Sequence, residues 1–135
     1  MASLSVLILT RSMAGKELLT VVRGRHDSMN IDCHTLTFNP EATDQIVFPH
    51  VAGRIKRIDK GCGVVVLTET DITHSSLFDK LSKDLKVSVV TGLNDAMLEA
   101  IRDCESMNIN QAAEYLAESA KQGIKSYMSE SYAQS

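Results

Sequence analysis

The sequence predicts a single α/β domain: a doubly wound, parallel four-stranded sheet in the order 2-1-3-4 with helices on both faces. Three observations carry this prediction. Short, almost uninterrupted apolar runs (Leu4–Leu9 and Val64–Leu67) have the composition of strands covered on both sides. They alternate with stretches whose apolar residues recur at helical spacing, giving β-α-β-α-β-α-β-α-α, and such alternation implies parallel strands joined by right-handed crossovers. The chain has 135 residues, enough for one sizeable core.

The first strand lies in Ser3-Leu-Ser-Val-Leu-Ile-Leu-Thr10, and the chain turns through Arg11 and Ser12 into a helix expected over residues 14–23. Leu18, Leu19 and Val22 form its apolar stripe, with Gly24 as its stop. Residues 31–38 alternate imperfectly, as suits an edge strand. Asn39-Pro40 marks a turn. The second helix has two readings: it is capped by Thr43 or Asp44 with Pro49 inside, or it begins at Pro49. Val51, Ile55 and Ile58 define its buried face in both. Gly61-Cys-Gly63 reads as a turn before the third strand, Val64–Leu67.

A dense polar loop, residues 68–76, leads to a helix over residues 75–84 carrying Leu77, Phe78, Leu81 and Leu85. The fourth strand is residues 87–90, ended by Thr91-Gly92. Asn94 or Asp95 caps the next helix, with Met97, Leu98 and Ile101 inward, and Asn108 or Asn110 caps the last, with the stripe Ala113, Leu116, Ala120 and Ile124. The domain is expected over residues 1–128, followed by a polar tail, 129–135.

Hydrophobic residues make up 44% of the chain and charged residues 23%, as in an ordinary globular protein. A net charge of −3 argues against a nucleic-acid binder. The run Leu4–Leu9 is too short and lacks the basic lead of a signal peptide, and no stretch reaches the ~18–20 apolar residues of a membrane span. A cytoplasmic protein without membrane insertion is therefore expected. Cys33, Cys62 and Cys104 form no C-x-x-C pair, and Cys33 and His34, as strand neighbours, point to opposite faces. No metal and no cofactor is expected, and His26, His34 and His50 are expected to be structural, without convergent partners.

In a sheet of order 2-1-3-4 the winding reverses between strands one and three, and ligands bind at the carboxyl edge there. That puts Thr10, Arg11 and Ser12 beside Glu69, Thr70 and Asp71, with Thr91 and Asn94 further along the edge. The crevice would gather an arginine, carboxylates, hydroxyls including Ser75 and Ser76, and His74, a set suited to phosphate or another anion. There is no Walker A motif and no G-x-S-x-G elbow. An ion pair closing the strand end, Arg11 with Glu69 or Asp71, accounts for these charges equally well.

Four segments, in order, resemble the enzyme IIA components of the mannose-type bacterial sugar phosphotransferase system. Thr91-Gly-Leu-Asn-Asp-Ala-Met-Leu98 is similar to that family's T/A-G-V-N-x-P-M-L, with Ala96 where proline is usual. Thr10-Arg-Ser-Met-Ala-Gly-Lys-Glu-Leu-Leu19 is similar to T/S-H-G-x-x-A-x-x-L-L. Residues 63–78 resemble the segment G-V-L-x-L-x-D…S-P-F with one extra residue, and Gln122-Gly-Ile-Lys125 resembles E-G-V-K. The resemblance implies exchange with the phosphocarrier protein and enzyme IIB, and a homodimer in which residues 124–128 contact or exchange with the second copy as an edge strand. It also implies a phosphohistidine where this chain has Arg11, a glycine where it has Ser12, and a supporting aspartate at Glu69 or Asp71. Guanidinium offers only donors and stays protonated, so Arg11 cannot accept a phosphoryl group. Three expectations follow: a regulatory or interaction module without histidine relay, a carrier whose acceptor has moved to His74, or a small-anion-binding module.

Overall fold

The computed structural model describes residues 3–25, 31–69 and 75–129. These form β1 (Ser3–Thr10), α1 (Ala14–Arg25), β2 (Asp32–Thr37), α2 (Asp44–Ile58), β3 (Gly61–Thr68), α3 (Ser75–Asp84), β4 (Val87–Thr91), α4 (Asp95–Ala100) and α5 (Ile109–Gln122), with a 3-10 turn over Ile101–Cys104. The sheet has the order β2-β1-β3-β4 with every pairing parallel. β1 and β3 are central because their residues are apolar on both faces: Val6–Leu9 and Val64–Leu67 are wholly buried.

The two faces have separate cores. Even-numbered residues of β1, with Val65 and Leu67 of β3, pack against Leu19 and Val22 of α1 and against α4 and α5. Leu7 and Leu9, with Val64 and Val66, pack against Val51, Ile55 and Ile58 of α2 and Leu77 and Leu81 of α3. Opposite faces follow from the two-residue side-chain period of a strand.

Three local expectations need correction, and for α2 the structure selects the first of the two readings. Gly24 lies inside α1, which runs on to Arg25; a glycine is tolerated there once packing of Leu19 and Val22 supports the helix. Gly61-Cys-Gly63 is the start of β3 and not a turn. Gly61 and Gly63 have φ of 111° and 87°, and the β1–β3 register is irregular between Ser3 and Ser5, so the glycines absorb a kink as the strand enters the sheet. α2 begins at Asp44 with Pro49 inside, because burial of Val47 together with Val51, Ala52, Ile55 and Ile58 outweighs one missing hydrogen bond. In α5 the buried stripe is Ile109, Ala112, Leu116 and Ala120, while Ile124 is 76% exposed beyond the helix end. The start is set by Asn108, whose side chain accepts from Gln111 N while Gln111 caps back, and that box phases the helix one residue away from Ala113.

Asn94 caps α4 by accepting from Met97 N at 2.9 Å, and its amide donates to the Ala120 carbonyl at 3.0 Å, joining α4 to the end of α5. Asn94→Ala should cost about 2 kcal/mol, about 1 for the cap and about 1 for the orphaned carbonyl. Asn94→Asp, which keeps the acceptor alone, should recover the cap's share in urea denaturation.

Candidate functional site

β1, β3 and β4 all end in threonine at one edge of the sheet, where Leu9 is level with Thr68 and Thr68 with Thr91. Buried Thr68 donates its hydroxyl to the Leu9 carbonyl at 2.8 Å, and its own carbonyl accepts from Leu93 N at 3.0 Å. The loop after β4 is thereby drawn toward the β1–β3 seam. Thr10 Oγ1 donates to the Ser12 carbonyl at 2.5 Å and accepts from Gly15 N at 3.2 Å, folding the turn between β1 and α1 around one hydroxyl. Gly15 allows this: a Cβ there would lie 2.7 Å from Ile8 Cγ2, so a larger residue would push α1 off the strand.

Arg11 follows that turn. Its backbone N–H and its Nε–H both donate to Glu69 Oε2, at 3.0 and 3.1 Å. The side chains are 44% and 25% exposed, so the pair is worth at most about 1 kcal/mol in stability. Its consequence is geometric, since one carboxylate oxygen fixes both the loop backbone and the guanidinium. The pair walls a cleft of ≈ 510 Å³, completed by Ala14, Leu18, Gly92, Leu93, Asn94 and Ile124. Gly92 has φ of 89°, which lets the chain turn sharply off β4 into this wall.

Of the residues expected at the site, Thr10, Arg11, Ser12, Glu69 and Asn94 do meet at this edge, Thr10 and Ser12 as scaffold and Arg11, Glu69 and Asn94 as lining. Thr91 ends β4 but is exposed and not part of the lining. Ser76 does not reach the cleft: its hydroxyl donates to the Asp44 carboxylate at the start of α2. Ser75 begins α3, and Asp71 and His74 lie outside the described residues. Sequence reading missed the apolar side of the cleft, Leu18, Leu93 and Ile124. It also gave His34 no partner, whereas His34 Nε2 lies 2.8 Å from Asp32 Oδ2 on the same face of β2.

Cys33, Cys62 and Cys104 form no disulfide, and desolvation pushes the thiols of Cys33 and Cys104 up to about 11, which keeps them protonated and unreactive. Among the described residues no cluster of three metal-ligating side chains occurs, and no helix is long and apolar enough to cross a membrane.

No protein-family model matches the sequence, and neither does any curated protein. Solved structures do match in fold. A mannose/sorbose-specific IIA subunit of the phosphotransferase system from Enterococcus faecalis has a TM-score of 0.77 at 16% identity, over 92% of this chain and 94% of that one. The phosphotransferase component EIIA from Streptococcus agalactiae has a TM-score of 0.73 at 18% identity, over 91% and 96%. A sigma-54 interaction domain protein from Enterococcus faecalis has a TM-score of 0.67 at 10% identity, over 90% and 93%. The chain therefore has the fold seen in mannose/sorbose-type IIA proteins.

Proposed function

We propose that this chain is a mannose-family IIA-type module that does not relay phosphate through histidine and serves as a regulatory or interaction domain, its Arg11 cleft holding an anionic group of a ligand or partner. One observation carries the reading: Arg11, at the position that the sequence resemblance matches to the family's phosphoacceptor, is engaged by Glu69 through backbone and side chain together. Relay needs a ring nitrogen with a lone pair, and a guanidinium has none to give. A fixed cation at the same point is suited to the opposite task of binding a phosphate or carboxylate. Leu18, Leu93 and Ile124 offer apolar contact beside the charge, as a binding site for a metabolite or a protein segment would need. Occurrence of the same fold in a sigma-54 interaction domain protein is in keeping with a regulatory use.

In this reading the partners are the phosphocarrier protein, an enzyme IIB-type protein and a second copy of the chain, all in the cytoplasm. The exposed apolar residues Ile124, Tyr127 and Met128 of the segment after α5 favour the homodimer.

A thermal-shift screen with inorganic phosphate, phosphoenolpyruvate, sugar phosphates and carboxylates tests the proposal. A ligand held in the Arg11 cleft at 100 times its dissociation constant should stabilise by about 2.7 kcal/mol, and Arg11→Ala should remove that contribution together with the ligand's amide shifts at Gly92 and Leu93. Amide shifts at Gly92 and Leu93 that survive Arg11→Ala, or an acid-labile phosphohistidine on the wild type after incubation with the general phosphotransferase proteins, would sink it.

A further inference from the structure

Asp32 and Leu36 of β2 lie on the same side of that strand, Leu36 in the core beneath α2, while Cys33 packs on the opposite side with α1. Asp32 is level with Ser5, near the start of β1, so it sits at the end of the sheet opposite Arg11. Its Oδ2 meets His34 Nε2 at 2.8 Å and Lys60 Nζ at 3.3 Å. Arg54 and Arg57 come from the last turns of α2, and Arg54 Nη2 donates to the Thr35 carbonyl at 3.5 Å. With Ile58 these residues line an open cleft of ≈ 580 Å³. A smaller depression of ≈ 180 Å³ shares the same two arginines and extends along α2 to His50.

The charge balance is the informative part. Arg54, Arg57 and Lys60 against Asp32 leave a formal excess of two positive charges in a chain whose net charge is −3. The helix dipole accounts for a cation at Arg57, in the last turn of α2, but not for Arg54, Lys60 or the Asp32–His34 pair. The His34 hydrogen bond, helped by Lys60, holds the Asp32 carboxyl below its usual range against the opposing effect of burial. Asp32 is thus ionised at neutral pH and occupied with His34 and Lys60, while Arg57 has no carboxylate within ion-pair distance among the described residues.

We propose that this cleft binds a phosphomonoester dianion, with Arg57 and Lys60 as its principal cationic contacts, Arg54 at its flank and the Asp32-oriented His34 imidazole beside it. An excess of two positive charges matches a dianion and would be only half met by a monocarboxylate. The combination of a planar guanidinium and a compact ammonium suits phosphate oxygens. The cleft is open, so the phosphate can be carried on a larger body, either a metabolite or a phosphorylated side chain.

Titration of the isotope-labelled full chain in about 0.15 M salt, followed by amide chemical shifts, tests this. The probes are inorganic phosphate, phenyl phosphate, a phosphoserine peptide and acetate. Shifts should centre on Asp32–Thr35 and on the 54–60 segment, with the phosphates bound about tenfold or more tighter than acetate. Arg57→Ala and Lys60→Ala, both at exposed positions, should each weaken the response of Asp32–Thr35 and the 54–60 segment about tenfold, while Arg11→Ala leaves the response of those segments unchanged. Whichever of phenyl phosphate and the phosphopeptide binds tighter identifies the source of the phosphate. The proposal fails if phosphate gives no shifts at concentrations on the order of tens of millimolar. It fails equally if acetate matches phosphate, or if phosphate shifts only Arg11, Gly92 and Leu93, or if the shifts at Asp32–Thr35 ignore both alanine variants.

Discussion

If the proposed reading holds, the wild type stays unlabelled, and Arg11→His should label from phosphoenolpyruvate in the presence of the general phosphotransferase proteins. The expectation rests on the surroundings of that position. Glu69 Oε2 already lies 3.0 Å from the backbone N–H of residue 11 and 3.1 Å from the side-chain Nε. With an imidazole there, that carboxylate is placed to accept a ring N–H and so fix the tautomer, leaving the other ring nitrogen with its lone pair toward the cleft. The turn would be unchanged, because Thr10 Oγ1 and Gly15 hold it without help from the Arg11 side chain. The label should be acid-labile and should be lost again in Arg11→His combined with Glu69→Ala, where the ring has no orienting group. His74→Ala is the control: labelling of the wild type that disappears in His74→Ala would mean that the acceptor had moved and not been lost. A folded Arg11→His that stays unlabelled would show that the loss of relay extends beyond this one residue.

Gly63→Ala should destabilise the fold by about 2–5 kcal/mol in urea denaturation. Gly63 has φ of +87°, a conformation that costs a residue with a Cβ about 1–2 kcal/mol. Its Cβ would also lie 2.7 Å from the Lys86 carbonyl oxygen. That oxygen accepts from Val64 N at 3.0 Å where β3 meets β4, so moving it aside loosens the first rung between the strands. Displacement of packed backbone adds about 1–3 kcal/mol. Gly24→Ala makes the contrast: it lies within α1 with nothing within 4 Å of the new Cβ, and should stabilise by about 0.5–1 kcal/mol. Equal effects at the two glycines would refute this account of the entry to β3.

Much of this architecture was legible because its causes are local. Uniformly apolar runs marked β1 and β3 as central, and the imperfect alternation around Cys33 and His34 marked β2 as an edge. The caps were narrowed to Asn94 or Asp95 and to Asn108 or Asn110, since an acceptor side chain before a helical stripe satisfies otherwise orphaned N–H groups, and Asn94 and Asn108 are the ones that do so. The start of α2 was not legible, because Pro49 satisfies the first-turn rule as well as Asp44 satisfies the N-terminal charge rule. Only burial of Val47 decides between them. Gly61-Cys-Gly63 looked like a turn for a similar reason: two glycines signal positive φ but not whether the chain reverses or merely kinks into a strand.

By itself, then, the sequence determined the order of elements, the sheet topology that follows from it, and that Arg11 follows the first strand at the carboxyl edge of the sheet. Arg11 excludes histidine relay at that point whatever surrounds it, because the protonation of a guanidinium does not depend on fold. Tertiary structure alone decided what Arg11 does. Strand register brings Glu69, 58 positions away in sequence, onto both its backbone and its side chain, and packing turns Leu18, Leu93 and Ile124 into one apolar wall. It likewise assembled Asp32, His34, Arg54, Arg57 and Lys60 into a single cationic cleft from a strand, a helix and the residue before β3. Periodicity reports which face a side chain occupies. Which faces meet, and at what height, is set by register and by the crossovers between strands, and no local pattern records that.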